Sequence, residues 1–263
     1  MLRIFNKLDR DILALIKRHY LNDPIRFTYL FYDIMYYPEV TEAYLSIVGN
    51  DITGFVLIYE GLPCPAVHII GNIDEPLDYI PRDRCLRIYA ETRPEITRQL
   101  ISELMARNDV KVHQSLTMVC HRDSFKPFSL GGNYVVRRLL IDDLEELAKI
   151  KEMQGSKVSR VELIARLLSP HWHYYGVFMN GKLLSIATAY LKLPEVWVVG
   201  DVFTIPEHRN RGLAKAVTSA VTNDAMQSGA MAMLHVYEEN LPAIKAYRRL
   251  GYVAVQEFTL IVS

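Results

Sequence analysis

Apolar side chains recur along this chain at two spacings, and the spacing changes from stretch to stretch. Leu13, Ile16 and Tyr20 lie three to four residues apart, which puts them on one face of a helix over about 10–21. A second, aromatic-rich helix is expected over 25–36, closed off by Pro38. Short β-type runs come next at 43–48, 53–59 and 66–70, with Gly49-Asn50-Asp51 as a hairpin turn between the first two. A strand at 86–90, a helix at 94–107 and a strand at 110–119 complete this part. Thr92, three residues before Glu95, is the expected N-cap of that helix.

The stretch 121–133 (HRDSFKPFSLGGN) loses both periods and reads as a linker. From Tyr134 the pattern restarts, with a strand to 140 and helices at 142–153 and 159–168. Strands are expected at 174–179, 183–190 and 196–205, with Asn180-Gly181 turning between the first two. A helix at 212–227, a strand at 232–237, a helix at 240–250 and a strand at 253–262 close the chain. In both halves two helices are succeeded by strands and then by a helix–strand ending. The expected fold class is therefore α/β with a mixed sheet, in two domains, 1–125 and 126–263. A structural duplication explains the recurrence; a single mixed domain with an N-terminal extension is the alternative.

Composition narrows the function classes. Thirty Lys and Arg balance thirty Asp and Glu in 263 residues, half of them hydrophobic. That balance speaks against a nucleic-acid partner, whose phosphates need a basic surplus, but leaves room for one small basic pocket. Cys64, Cys85 and Cys120 are odd in number and widely spaced, so reduced thiols in a cytoplasmic protein are expected, with no zinc site. The charged N-terminus has no apolar signal core, and no run approaches the ~18 apolar residues of a membrane span. No membrane partner is expected.

Candidate chemistry concentrates in 200–220, GDVFTIPEHRNRGLAKAVTSA. A strand enters a Pro206 turn, passes Arg209, Asn210, Arg211, Gly212, Leu213, Ala214 and Lys215, and becomes a helix buried along Leu213, Ala216, Val217, Ala220 and Val221. A helix N-terminus offers unpaired N–H groups and the positive end of the helix dipole, which together suit a pyrophosphate. Gly212 lets backbone approach such a ligand, and Arg209, Arg211 and Lys215 add cations. Neither GxxxxGK[ST] nor GxGxxG is present. Further on, Asn240 is a good N-cap, Pro242 sits in the first turn, Gly251 is placed just past the end, and Asn240, Ala243 and Tyr247 share one helix face.

These two segments resemble the GNAT superfamily of acyl-CoA-dependent N-acyltransferases. Arg209, Gly212 and Ala214 match its (Q/R)-x-x-G-x-(G/A) pyrophosphate signature, and Asn240, Ala243, Tyr247, Gly251 and Tyr252 match its N-x-x-A-x-x-x-Y-x-x-x-G-(F/Y) helix. The phrase from Val202, Phe203 and Thr204 through Pro206, Glu207 and Arg209 is most similar to the glycine N-acyltransferase-like branch. The resemblance covers about 134–262 and implies a GNAT-like catalytic domain there; a duplicated N-terminal half would be a degenerate copy without the CoA signature.

The resemblance implies acetyl-CoA, or another acyl-CoA, as co-substrate and no metal. A small-molecule or protein amine would attack the thioester directly. Backbone around Val202, Phe203 and Thr204 would hold the pantetheine arm, Asn240 and Ala243 would border the cofactor, and Tyr247 would protonate the departing thiolate. Asp201 is the first candidate for general base, with Glu238, Glu239, His235 or a water chain as alternatives. Transfer of a longer or aryl acyl group to an amino acid such as glycine, or a non-catalytic acyl-CoA sensor, are the competing readings. His171 and His173 share a strand face but lack a third ligand. Trp172, Tyr174 and Tyr175 are expected to pack or to line a substrate cleft, and Tyr29, Phe31, Tyr32, Tyr36 and Tyr37 to be core. Oligomeric state is left open.

Overall fold

The computed structural model describes residues 2–5, 9–81, 84–106 and 110–263. They build two compact units, Met1–Leu116 with Tyr237–Glu239 and Gln256–Ser263, and Thr117–Val236 with Asn240–Val255.

The first unit contains β1 (Leu2–Phe5), α1 (Arg10–Asn22), α2 (Pro24–Tyr36), β2 (Thr41–Val48), β3 (Asp51–Tyr59), β4 (Ala66–Gly71), β5 (Arg87–Thr92), α3 (Pro94–Met105) and the start of β6 (Lys111–Cys120). Asp9 and Asp23 start the first two helices, their carboxylates accepting from the amides of Asp11 and Arg26. β1 to β4 form an antiparallel run, and β4 then pairs parallel to β5. Residues 259–262 of the chain's last strand lie antiparallel along β5. Between them lies a core that includes Val56, Ile69, Ile88, Leu100 and Ile261, all excluded from water. β1 has no counterpart among the expected elements because four residues are too few to show a period.

Two expectations for this unit are corrected. Thr92 ends β5 and donates its Oγ1 to the carbonyl of Gly71 at 2.7 Å, so Arg93 takes the N-cap position of α3, without a side-chain bond. Cys64 and Cys85 are joined in a disulfide, not reduced. Each precedes one of two parallel neighbours, with Ala66 opposite Arg87, and that pairing sets their Cα atoms 5.2 Å apart. A spacing of 21 residues carries no sign of it. Cys120 is free and buried.

The second unit holds β7 (Tyr134–Arg138), α4 (Leu144–Met153), α5 (Arg160–Leu168), β8 (His173–Met179), β9 (Lys182–Lys192), β10 (Val196–Thr204), α6 (Leu213–Gln227), β11 (Met231–Tyr237), α7 (Leu241–Arg249) and the start of β12 (Val253–Val262). β7 to β10 run antiparallel, β10 pairs parallel to β11, and the end of β6 lies beside β11. Asn180 and Gly181, both at positive φ (50° and 78°), make the tight turn that their residue types favour. α4 and α5 close a core over β8 and β9 with Leu147, Ile150, Leu163, Tyr174 and Ile186. α6 packs against β8, β9 and β10 through Ala216, Val217, Val221 and Ala225. The stretch 121–133 is irregular, as expected, yet it is built into this unit. Lys126 N donates to Leu250 O at 2.9 Å and Phe128 N to Ser219 Oγ at 2.8 Å. Among the described residues no helix is long and apolar enough to cross a membrane.

Candidate active site

β10 is where the second unit departs from regular structure. Gly200 faces Thr188 and Phe203 faces Ile186, so Asp201 and Val202 together oppose the one residue between, Ala187. This is a β-bulge, and it puts Asp201 at φ 52°, in left-handed backbone that a non-glycine residue adopts at a cost of order 1–3 kcal/mol. The carboxylate so placed has a partner at each oxygen. Its Oδ2 is ion-paired with Lys151 Nζ, whose side chain is 7% exposed, and its Oδ1 accepts from Gln154 Nε2 at 3.0 Å. Burial holds Lys151 below the ordinary lysine range, with Asp201 opposing that shift.

Around the pair, Arg166 of α5 bonds Tyr174 Oη at 3.4 Å, lies 4.4 Å over Trp172 and is ion-paired with Glu162. Burial pushes the Tyr174 phenol up to about 12. Lys151 and Gln154 are not among the residues that the sequence motifs single out. A usable signal exists: Lys151 comes four residues after Leu147, on the face that buries Leu147 and Ile150.

Below the bulge, Ser185 Oγ donates to the carbonyl of Phe203 at 2.8 Å and bonds Thr204 Oγ1 at the same distance. Those contacts fix the strand at the point where the loop begins. The loop turns through Pro206–His208 and reaches Asn210 and Gly212 at φ 62° and 82°. Arg209 ties it back to the strand end, donating Nε to Thr204 O at 3.2 Å, and Arg211 donates to Glu207 O at 3.3 Å. Lys215 Nζ sits 3.4 Å over the Phe128 ring. Gly212 occupies the N-cap position of α6 with no side-chain cap, and no acidic residue lies in the first turn. The leading amides of Leu213, Ala214 and Lys215 therefore keep their capacity for an anion.

α7 packs against α6. Asn240 caps it, Oδ1 accepting from Ala243 N at 3.3 Å, so its side chain is tied to the helix. Tyr247 lies on the same helix, 8% exposed, and its hydroxyl has no hydrogen bond among the described residues. Burial pushes that phenol up to about 12, so it stays protonated across the neutral range. Gly251 ends α7 at φ 98°, where a Cβ would strike the carbonyl of Ser124.

The other candidates for proton acceptor are placed differently. His235 is half-buried on β11, bonded through Nδ1 to Thr117 Oγ1 at 3.1 Å and pushed down to about 4 by desolvation. Glu238 and Glu239 belong to the first unit, where the Glu239 carboxylate meets His113 at 2.8 Å. His173 packs on Lys192, 3.0 Å from Nε2 to Nζ, and is held down to about 3 by burial first and by Lys192 second. No group of three metal-ligating side chains occurs among the described residues. Tyr175 donates to Asp224 at 2.6 Å, and Tyr29 and Phe31 stack on His68 and Tyr20 inside the first unit.

The architecture has counterparts among known proteins. Residues 138–252 match the model of the acetyltransferase (GNAT) family. No curated protein matches the chain. Among solved structures, the chain is similar to a Drosophila protein, 14% identical, covering 98% of each chain with a TM-score of 0.75. It is similar to a GCN5-related N-acetyltransferase-like protein of Streptococcus suis, 13% identical, covering 94% of this chain and 98% of that one at a TM-score of 0.64. It is also similar to a tandem GNAT protein of the clavulanic acid biosynthesis pathway, 11% identical, covering 96% and 93% at 0.61. The chain thus has a mixed α/β fold of the kind seen in GNAT acetyltransferases, and its residues 138–252 match the acetyltransferase (GNAT) family model.

Proposed function

We propose that the chain transfers an acyl group, acetyl in the first instance, from acyl-CoA to an amine by direct attack on the thioester. The observation that carries this reading is the uncapped N-terminus of α6, fed by a loop with two positive-φ residues and two arginines bonded to backbone carbonyls. The amides of Leu213 to Lys215 would take the pyrophosphate, with Arg209, Asn210 and Arg211 shaping the loop around it. Val202, left out of the β9 ladder by the bulge, would offer backbone to the pantetheine arm, alongside Phe203 and Thr204. The neutral amine nitrogen bonds to the acyl carbon as the C–S bond breaks, and the proton it then sheds passes to water. Tyr247, protonated and without a competing bond, would give the sulfur its proton, while Asn240 and Ala243 would border the cofactor.

We also propose that the first unit is a GNAT-like copy that binds no CoA. It repeats the parallel pair as β4 and β5, but among the described residues between them, where the second unit has α6, stands only a 3-10 turn at Pro76–Tyr79. The cytoplasm is the proposed compartment, and there the Cys64–Cys85 bond would be exposed to reduction. The glycine N-acyltransferase-like reading changes both substrates, to a longer or aryl acyl-CoA and an amino acid such as glycine. One observation favours an acyl-CoA binder without turnover, namely the engagement of Asp201 by Lys151. Calorimetric titration with CoA, and then thiol release from acetyl-CoA over a panel of amines, separates the two. Binding with release supports the transferase, and binding without release supports the binder.

A further inference from the structure

We propose that the first unit carries a binding site for a small zwitterion, an amino acid or short peptide held by both its carboxylate and its ammonium. The site is a cleft of about 750 Å³ whose lining lies wholly within that unit. Its occupancy does not depend on the acyl-transfer reading.

The cleft follows from the side chains that β4, β5 and β12 set beneath α3. Val67, Ile88 and Ile261 stand side by side, fully excluded from water in one core with Leu100 of α3. Two positions on toward the end of β5, Ala90 stands opposite Thr259, and two further Thr92 is opposite Gly71. Side chains two apart share a sheet face, so the bulk beneath α3 falls away and a cleft opens. Pro94, Thr97, Arg98 and Ile101, three to four residues apart on one stripe of α3, form its other wall. β4 and β5 stay paired to Gly71 and Thr92, whereas β10 and β11 pair only as far as Val199 and Leu234. The closed strand ends leave no gap for a pantetheine arm, and a molecule smaller than CoA fits the cleft.

Two groups of opposite charge border the cleft, Arg98 on α3 and Glu257 on β12, and neither has a hydrogen bond or ion pair to a described residue. The other charged groups of the lining are committed. Arg93 pairs with Asp74 at 3.0 Å, and Glu91 lies on the opposite sheet face, among Arg26 and Gln256. The start of α3 adds to the positive side. Arg93 holds its N-cap position without a side-chain bond, so the amides of Glu95 and Ile96 have no acceptor within the helix. A carboxylate at Arg98 and this helix start, with an ammonium at Glu257, answers both charges at once; a simple anion or cation answers one. Ala90 and Ile101 offer apolar surface to a side chain. Gln114 accepts from Thr259 Oγ1 at 3.3 Å through Oε1, which leaves its Nε2 for a ligand carbonyl.

The test is calorimetric titration of the full chain, without CoA, with leucine and with the dipeptide Leu-Leu, each beside its N-acetylated and its C-amidated form. Expected is one site per chain, with loss of either terminal charge weakening binding at least about tenfold, the worth of one charge-assisted hydrogen bond. Arg98→Ala should weaken the zwitterion by the same factor and leave the amide's affinity unchanged. Glu257→Gln should do so for the zwitterion and spare the acetylated form. Both positions are exposed, so both variants should melt within about 2 °C of the wild type. Both also lie in the first unit, so the loss places the site there. Tighter binding of leucine assigns the cleft to amino acids and tighter binding of Leu-Leu to peptides; either supports the proposal. Free and blocked forms binding alike, no heat from any of them, or an unchanged zwitterion affinity in either folded variant would overturn it. For a variant that does not fold, the blocked ligands decide alone.

Discussion

Tyr247 is buried to 8% exposure, and no hydrogen bond to a described residue depends on its hydroxyl. Removing it should therefore leave stability intact. Tyr247→Phe is expected to melt within about 2 °C of the wild type and to bind acetyl-CoA equally well, because the phenol is needed only as sulfur leaves. Its kcat should fall by ~10²–10⁴-fold, the usual worth of a general acid. A kcat within threefold of wild type across pH 6–9, with chemistry rate-limiting, would make Tyr247 a packing residue.

Gly212 is a second single-residue case. Its φ of 82° makes any side chain strained, by about 1–2 kcal/mol, while an added Cβ would meet the Phe128 ring at an ordinary 3.4 Å. Gly212→Glu should lose a few degrees of melting temperature, stay folded by circular dichroism and lose CoA binding in calorimetry. Unchanged CoA affinity would take the loop out of the site.

At the scale of elements, α4 shows how a helix start is fixed before its apolar face is buried. Asp143 accepts from Leu140 N at 2.8 Å and takes two bonds from Arg137, both 2.7 Å, at 10% side-chain exposure. The Arg137 bonds come first among the causes that hold its carboxyl below the ordinary range, ahead of the backbone bond. The native state thus binds that proton less readily than the unfolded chain does. The stability it contributes is complete above the unfolded value of ~3.9 and is lost as pH falls through the lower folded value. Asp143→Asn should cost about 1–3 kcal/mol at pH 7 in urea titration, and the difference from wild type should shrink below pH 3. An undiminished difference at pH 2 would show that the carboxylate's charge is not what holds this helix start.

Elements such as α4 are legible in the sequence because their signals are local. Apolar period, caps and Gly or Pro punctuation place α1, α2 and α4 to α7 within a few residues, as Asn240 and Gly251 do for α7. The GNAT segments around Gly212 and Tyr247 are legible for the same reason. Pairings between distant residues are not. The Cys64–Cys85 bond depends on the parallel register of β4 and β5, and the hold of Lys151 on Asp201 depends on a bulge set by β9. Neither has a local pattern. Thr92 reads as a cap in sequence because a threonine at a strand end and one at a helix start look alike until the Gly71 carbonyl is in place.

At the scale of the whole molecule, chain order and compact units do not coincide. Gln256–Ser263 belong to the first unit, while Thr117–Cys120 belong to the second, where Thr117 bonds His235 on β11. The second unit also draws on the segment just after β6. Lys126 N bonds the carbonyl of Leu250 at the end of α7, while Phe128 N bonds Ser219 of α6 and the Phe128 ring carries Lys215. A fragment of residues 130–263 therefore lacks a strand beside β11 and the brace on both helices of the proposed CoA site. It also retains Gln256–Ser263 without the β5 ladder that Thr259 to Val262 complete. Unpaired strand edges of this kind invite association in place of folding. The fragment is expected to be insoluble or to lack a cooperative thermal transition, and to bind no CoA. The full chain should bind one CoA per molecule, with binding abolished by Gly212→Glu alone. A soluble 130–263 fragment that melts cooperatively and binds CoA with the affinity of the full chain would show that residues 117–129 are dispensable to the second unit. Two CoA molecules per full chain, with one surviving Gly212→Glu, would show that the first unit has a CoA site of its own.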